Sequence, residues 1–203
     1  MVTPNPRPSG PWSLREILLL GSLSAALGVL YQATNVLYDL MKFLDPVGDK
    51  LLYGLWFSGG LLIPYILRRP GAAFAGELMS GLVSMFLGAK WGVDVLLSAA
   101  LQGAACEVVF ALGRWRRFSG AWVCAAGAAA GVAALLHDGL LYGYFSYRPP
   151  VVIALCATLV LSGALVGGGF AVLVGRGLAA TGAIDNTPLG LLRLEARRTA
   201  EGD

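Results

Sequence analysis

The chain has 203 residues, of which 57% are hydrophobic and 13% are charged, with a formal net charge of +3. This composition is far from that of a soluble globular domain and predicts an all-α membrane protein. Three cysteines without metal-ligand spacing and one histidine argue against a disulfide framework and against a histidine-based metal site.

The apolar segments predict six transmembrane helices, which together form one transmembrane domain over residues 14–175. Pro64 is expected to kink or end the second helix, and the glycine run at 167–169 is the expected weak point of the sixth. The six spans are predicted at 14–32, 51–67, 72–88, 92–112, 121–141 and 151–174.

Three segments outside the spans are predicted from their polarity. The proline-rich residues 1–13 are expected to form a disordered cytoplasmic lead. Residues 33–50 are expected to form a partly buried loop or a short surface helix. Residues 176–203 are expected to form a charged cytoplasmic tail with a short helix at 189–198.

The basic residues predict the orientation of the six spans. Eleven arginines fall on one side, at positions 7, 15, 68, 69, 114, 116, 117, 176, 193, 197 and 198. The other side carries Lys42, Lys50, Lys90 and Arg148. Because cytoplasmic loops carry an excess of basic residues, both termini are predicted to be cytoplasmic.

Two carboxylates lie inside the predicted third and fourth spans, Glu77 and Glu107. Glu77 follows Arg69 by eight residues, and Glu107 precedes Arg114 by seven. At about 1.5 Å per helical residue, both lie roughly 10–12 Å from the arginine-rich end, at similar depth in a helical hairpin. A carboxylate within a bilayer is costly and indicates a functional site. The alternative is that each is protonated or is capped by a hydroxyl or a backbone group.

Further polar and aromatic residues fall in the outer half of the predicted bundle. With the two glutamates they are expected to line a mostly apolar pocket that opens outward, the usual form of a small-molecule site. These residues are Tyr31, Asn35, Trp56, Trp91, Gln102, His137 and Tyr142. The aromatic rings suit a flat ligand or a cation. The alternative for the tryptophans and the histidine is a place at the membrane interface.

Small residues recur on one face of the first span. Gly21, Ala25 and Gly28 follow each other at spacings of four and three. This spacing allows close helix approach and predicts contact with a partner subunit or with a neighbouring helix.

Several enzyme classes lack their sequence signatures here. The chain has no glycine-rich phosphate loop with Lys and Ser or Thr, no G-x-S-x-G and no H-E-x-x-H. Its few arginines flank the spans and do not indicate nucleic-acid binding. A membrane binding or transport component, without catalytic residues, is therefore the expected class.

Several stretches resemble the substrate-binding S components of energy-coupling factor (ECF) transporters, in particular the YkoE-type family linked to thiamine and its hydroxymethylpyrimidine precursor. The resemblance covers roughly residues 14–175 in span order, and its specific motifs lie in 54–118. The matching motifs are Gly54-Leu55-Trp56-Phe57, residues 68–73 with Glu77, Gly88 with Trp91-Gly92, Gln102-Gly103 with Glu107, Val109-Phe110-Ala111 and Arg116-Arg117-Phe118.

The resemblance implies a six-helix subunit in a prokaryotic plasma membrane that binds the vitamin from outside and holds no cofactor. It further implies a transmembrane coupling (T) subunit and two cytoplasmic ATPase subunits as partners. Glu77, Glu107 and Gln102 would then read the aminopyrimidine edge, and Trp56 and Trp91 would hold the thiazolium.

Two other functions stay open at this point. A stand-alone transporter of a small cation or proton would use Glu77 and Glu107 as a relay. A membrane assembly protein without a ligand would hold both carboxylates neutral and packed.

Overall fold

The structure is a computed structural model that describes residues 10–201. Residues 1–9 of the predicted disordered lead lie outside the described residues. Within 10–201 the chain is helical, and no strand occurs in that range. The prediction of an all-α protein is confirmed for this part of the chain.

The helices are α1 (Leu14–Leu40), α2 (Ser58–Leu67), α3 (Ala72–Phe86), α4 (Asp94–Leu112), α5 (Gly120–Leu141), α6 (Pro149–Leu161), α7 (Gly168–Thr181) and α8 (Pro188–Glu201). A 3-10 segment, Gly48–Phe57, leads directly into α2, and a π-helical turn, Ser162–Gly167, joins α6 to α7.

Five helical segments of the described chain have the length and apolar composition needed to cross a membrane. They are Leu14–Leu40, Gly48–Leu67, Asp94–Leu112, Gly120–Leu141 and Pro149–Thr181. The helix α3 is also apolar but has only 15 residues.

Most predicted helix bounds agree with the structure to within a few residues, but α1 does not end at residue 32. It begins at the Ser13 capping box, in which the Glu16 carboxylate accepts a hydrogen bond from the Ser13 N–H. It then continues to Leu40, through residues assigned to a loop or a surface helix. The polar residues Asn35 and Tyr38 lowered the hydropathy there, yet they lie on the inward face of a regular helix.

The second and sixth predicted helices contain the irregularities that their sequences suggested. The helix α2 passes through Pro64 and ends at Leu67, where Arg68 adopts a left-handed conformation with φ of 53°. The π-helical turn ends at Gly167, where the predicted glycine run begins. The short helix predicted at 189–198 is present as α8.

The helix α2 forms the centre of the bundle, and every one of its residues is buried. It packs against α1, α3 and α7. The arginine-rich end of the bundle is tied together by Arg69, whose Nε donates to the Glu16 carboxylate at 2.6 Å. This contact joins the start of α1 to the α2–α3 turn.

The 3-10 segment is held against the π-helical turn by a serine and by close backbone packing. The Ser162 hydroxyl accepts from the Gly54 N–H at 2.9 Å and donates to the Leu51 carbonyl at 2.7 Å. A Cβ atom on Gly54 would lie 2.1 Å from the Ser162 carbonyl oxygen, so only glycine fits there. Since residues i and i+3 eclipse in a 3-10 helix, Tyr53 and Trp56 project to the same side.

Candidate functional site

A cavity of about 200 Å³ lies between α1, the 3-10 segment, α3, α4 and α5. It is far larger than the roughly 10–15 Å³ that one water molecule requires. Its rim is formed by Trp91 in the α3–α4 turn and by Tyr142 and Tyr144 after α5. The cavity is therefore at the end of the bundle opposite Arg69 and Arg116.

Glu77 forms the floor of this cavity and is only 1% exposed. Its carboxylate accepts from the Gly60 N–H at 2.7 Å and from the Tyr31 hydroxyl at 2.9 Å. The Tyr31 oxygen in turn accepts from the Gly59 N–H at 2.9 Å. Gly59 and Gly60 lie in the first turn of α2, whose N–H groups have no partner within the helix. Glu77 and Tyr31 thus cap α2, and Glu77 also lines an open space.

An aromatic wall rises above Glu77, consisting of Tyr38, Tyr53, Trp56 and Trp91. The Trp56 ring centre lies 4.9 Å from that of Tyr53 and 5.4 Å from those of Tyr38 and Trp91. The Trp56 indole N–H donates to the Tyr31 carbonyl at 3.2 Å, which fixes the ring. Such a wall can stack a flat ring or hold an organic cation.

Amides form a polar strip beside the aromatic wall. Gln102 is 3% exposed, and its amide nitrogen donates to the Ser98 hydroxyl at 2.6 Å. The Gln102 carbonyl oxygen accepts no hydrogen bond from any described residue, so it remains available to a ligand. Asn35 is also buried and donates to Gln32.

Five ionisable side chains of the cavity form a hydrogen-bonded network, which includes Tyr53 of the aromatic wall. The two ring nitrogens of His137 face carboxylate oxygens of Asp138 at 2.8 Å and of Asp94 at 3.2 Å. The Tyr53 hydroxyl donates to Asp138 at 2.9 Å, and the Tyr142 hydroxyl donates to Asp94. Both ring nitrogens are satisfied together when each carries a proton. The network therefore brings the carboxyl groups of Asp94 and Asp138 to one imidazole ring.

Two tyrosines of the rim stay neutral. Burial and the hydrogen bond to Asp94 raise the pKa of Tyr142 above its ordinary value. Burial and the nearby Asp138 carboxylate raise the pKa of Tyr144 further. Both phenols therefore keep their protons at neutral pH and can donate hydrogen bonds.

The structure brings eight of the nine residues predicted to bind a ligand to this one cavity. Those eight are Tyr31, Asn35, Trp56, Glu77, Trp91, Gln102, His137 and Tyr142. They come from α1, the 3-10 segment, α3, the α3–α4 turn, α4, α5 and the residue that follows α5.

The placement of Glu107 in the same pocket is wrong. Its carboxylate accepts from the backbone N–H groups of Gly71 at 2.7 Å, Ala73 at 3.0 Å and Phe74 at 3.3 Å. It also accepts from the Trp115 indole at 2.7 Å. These contacts place Glu107 at the start of α3, at the arginine-rich end. The helical rise gives the depth of Glu107 along α4. It does not show which backbone groups of a neighbouring helix the carboxylate contacts.

Several residues of the cavity were not predicted from the sequence to belong to the site. They are Tyr38, Tyr53, Asp94, Ser98, Asp138 and Tyr144. A signal for two of them exists in the sequence, because Asp94, Ser98 and Gln102 repeat at a spacing of four and so share one face of α4.

The three small residues of α1 lie in two different environments in the structure. Gly28 packs inward against α3, where a Cβ atom would lie 2.4 Å from Val83 Cγ1. Its prediction as a partner-interface residue is therefore corrected to intramolecular packing. Ala25 is exposed, and the position of a Cβ on Gly21 has no atom within 4 Å. These two lie on the outer surface of the bundle.

Three comparisons place the chain among known proteins. Residues 15–133 match the family described as the permease component of an ABC-type cobalt transport system. The chain is 30% identical over 192 residues to the putative HMP/thiamine permease protein YkoE of Bacillus subtilis (strain 168), covering 94% of this chain and 96% of that protein. A crystal structure of an S component of an ECF transporter matches with a TM-score of 0.90 and 29% identity, over 95% of this chain and 99% of that one. These matches confirm the resemblance drawn from the motifs.

Proposed function

This chain belongs to the YkoE-type family of ECF-transporter S components, and from this membership we propose that it binds thiamine or its hydroxymethylpyrimidine precursor for import. The observation that carries the proposal is the cavity in which the buried Glu77 carboxylate lies beneath the aromatic wall. A single site thus offers a buried carboxyl group, a free amide carbonyl and several ring faces.

The chemistry of the cavity matches both halves of thiamine. An aminopyrimidine has a donor and acceptor edge, which the Glu77 carboxylate and the Gln102 amide can read by hydrogen bonds. A thiazolium is a flat cation, which suits the rings of Trp56 and Trp91 and the Asp94 side chain in the same lining. The pyrimidine alone would use the first set of contacts only.

The distribution of charge supports outward binding. We infer six spans with both termini cytoplasmic, because the cavity opens at the end opposite the arginine-rich turns. A T subunit in the plasma membrane and two cytoplasmic ATPase subunits would then supply the energy for inward delivery.

Cysteine labelling tests this orientation. In a variant without the three native cysteines, a cysteine at position 116 is expected to react with a membrane-impermeant maleimide only after the cells are permeabilised. Labelling of that position in intact cells would contradict the orientation.

The exposed small residues of α1 are the proposed contact with the T subunit. Replacing Ala25 with leucine is expected to reduce capture of the partner subunits while the isolated chain keeps its thiamine affinity. The matched control is Ala104→Leu, which adds the same bulk at an exposed position of α4. Equal capture by both variants would remove α1 from the interface.

The relay alternative gains no support from the contacts of the two glutamates. Glu77 bonds to the start of α2 and Glu107 to the start of α3, and the two share no hydrogen-bond partner. A proton relay would need a continuous hydrogen-bonded path between them.

Mass spectrometry of small molecules that co-purify with the protein tests the proposed function directly. We expect thiamine or hydroxymethylpyrimidine at near one molecule per chain. If neither compound co-purifies nor raises the melting temperature of the ligand-free protein, the ligand-free assembly alternative is favoured. Proton flux in liposomes without partner subunits would instead favour the stand-alone transporter.

A further inference from the structure

A second cavity, of about 460 Å³, lies at the arginine-rich end of the bundle between α2, α7 and α8. Three arginines line it, Arg68, Arg176 and Arg193, and its lining includes no aspartate or glutamate. None of the three forms a salt bridge with any carboxylate in the part of the chain that the structure describes. The cavity therefore concentrates positive charge that the protein itself does not neutralise.

Arg68 is the most buried of the three arginines. It is only 8% exposed, and its Nε has no hydrogen-bond partner. Its guanidinium lies 5.4 Å from the centre of the Phe118 ring. Burial lowers the pKa of Arg68, because the charged form has lost its hydration. A buried charge normally has a partner, and an anion in the cavity would supply one.

The other two arginines lie where the apolar surface of the bundle ends. Arg176 follows Leu173 by three residues, so both lie on one face of α7, and Leu173 is 72% exposed. The Arg193 guanidinium donates to the Ala179 carbonyl in the last turn of α7. On α8 Leu191 is exposed as well, but it does not share a helix face with Arg193, because the two are only two residues apart.

We propose that this cavity binds the phosphate of an anionic phospholipid from the leaflet on the arginine-rich side. Guanidinium groups match phosphate oxygens in pairs of hydrogen bonds, and basic pockets between helices on the cytoplasmic side suit such headgroups. The exposed Leu173 on the same face as Arg176 favours a lipid over a soluble phosphate, because it gives the acyl chains an apolar surface. The site is separate from the thiamine cavity and stands whether or not thiamine is the ligand there.

Native mass spectrometry with defined lipids tests the site. The wild-type protein, offered equal amounts of phosphatidylglycerol and phosphatidylcholine, is expected to retain one phosphatidylglycerol. The double variant Arg176→Gln with Arg193→Gln is expected to retain it at least about tenfold less, since it loses charge-assisted hydrogen bonds. The control, Arg116→Gln with Arg198→Gln, removes the same charge at exposed positions and is expected to behave as wild type.

Several outcomes would overturn the proposal. Equal retention of phosphatidylglycerol by both double variants would show that Arg176 and Arg193 do not form the site. Equal retention of the two lipids would show that the negative charge is not recognised. Stabilisation by inorganic phosphate without lipid retention would assign the site to a soluble anion, and loss of partner capture with unchanged lipid retention would assign it to an acidic protein surface.

A single variant keeps the test decisive if the double variant does not fold. Arg176 is exposed, and no described side chain pairs with it. Arg176→Gln is therefore expected to fold and to retain severalfold less phosphatidylglycerol than Arg116→Gln. Identical retention by these two single variants would also contradict the proposal.

Discussion

Glu77 and Glu107 lie on neighbouring antiparallel helices, and each accepts hydrogen bonds from the start of another helix. Glu107 accepts three backbone N–H groups and one indole N–H. Glu77 accepts one backbone N–H and the Tyr31 hydroxyl, and it faces a cavity. A carboxylate has about four acceptor sites, so Glu107 is saturated whereas Glu77 keeps capacity for a ligand. The two glutamates therefore differ in how many hydrogen-bond donors the protein supplies to them, and not in their depth. Glu107 has a structural role, whereas Glu77 is available to a ligand.

The largest expected effect on ligand binding comes from truncating the central ring of the aromatic wall above Glu77. Trp56→Ala is expected to weaken thiamine binding by about thirty- to several-hundredfold, since a central aromatic anchor is worth roughly 2–4 kcal/mol. Isothermal titration in detergent measures it. The control Trp122→Ala truncates a tryptophan that bonds to the Val109 carbonyl away from the cavity, and it is expected to keep the affinity. Equal losses in both variants would show that the wall has no specific role.

The next effect concerns the saturated carboxylate. Glu107→Gln leaves one acceptor oxygen and turns an amide group toward N–H donors at the start of α3, so the free energy of unfolding is expected to fall by about 1.5–3 kcal/mol. Denaturation in mixed micelles measures it. Glu195→Gln, at an exposed position of α8, is expected to change stability little. An unchanged stability of Glu107→Gln would contradict its assignment as a helix cap.

A smaller effect comes from the packing behind Glu77. A Cβ atom on Gly103 would lie 2.9 Å from Glu77 Cβ and 3.2 Å from Phe74 Cα. Gly103→Ala is therefore expected to destabilise the protein by about 1–2 kcal/mol and to weaken ligand binding severalfold, because α3 must move. Gly169→Ala, with no atom within 4 Å of the added carbon, is the control and is expected to be neutral or slightly stabilising. A neutral Gly103→Ala would show that Glu77 is not held by this contact.

The smallest effect is at the rim. Tyr142→Phe removes a neutral hydrogen-bond donor to Asp94 without changing charge, because the raised pKa keeps the phenol protonated. Thiamine affinity is expected to fall about two- to tenfold, the value of one hydrogen bond. Isothermal titration of wild type and Tyr142→Phe at one pH measures the loss. An unchanged affinity would show that the Tyr142 hydroxyl does not contribute to the ligand site.

The order of the helices and most of the cavity could be predicted from the sequence. Hydropathy located the apolar helices, and Tyr31 and Asn35 of α1 were among the residues expected to line the cavity, as they do. The end of α1 was missed, because residues that face a polar cavity lower hydropathy in the same way as a loop does. The 3-10 segment was also missed, since its geometry depends on Ser162, more than a hundred residues later in the chain.

The error at Glu107 has a similar physical origin. Helical rise fixes how far along α4 a residue lies, but the partners of a carboxylate depend on where the preceding turn brings its backbone. Gly71, with φ of 81°, turns the chain so that the first N–H groups of α3 point at Glu107. Sequence spacing alone does not predict the contact between Glu107 and these N–H groups.

The central claim is that Glu77 reads the ligand and Glu107 does not, and one set of titrations tests it. Thiamine and the neutral hydroxymethylpyrimidine are titrated into wild type, Glu77→Gln and Glu107→Gln. We expect Glu77→Gln to lose about ten- to a hundredfold in thiamine affinity, as for one charge-assisted hydrogen bond, and Glu107→Gln to stay within about twofold. If the charge dominates, the loss at Glu77 is smaller for the neutral pyrimidine. Unchanged thiamine affinity in a folded Glu77→Gln protein, or a larger loss in Glu107→Gln, would contradict the account.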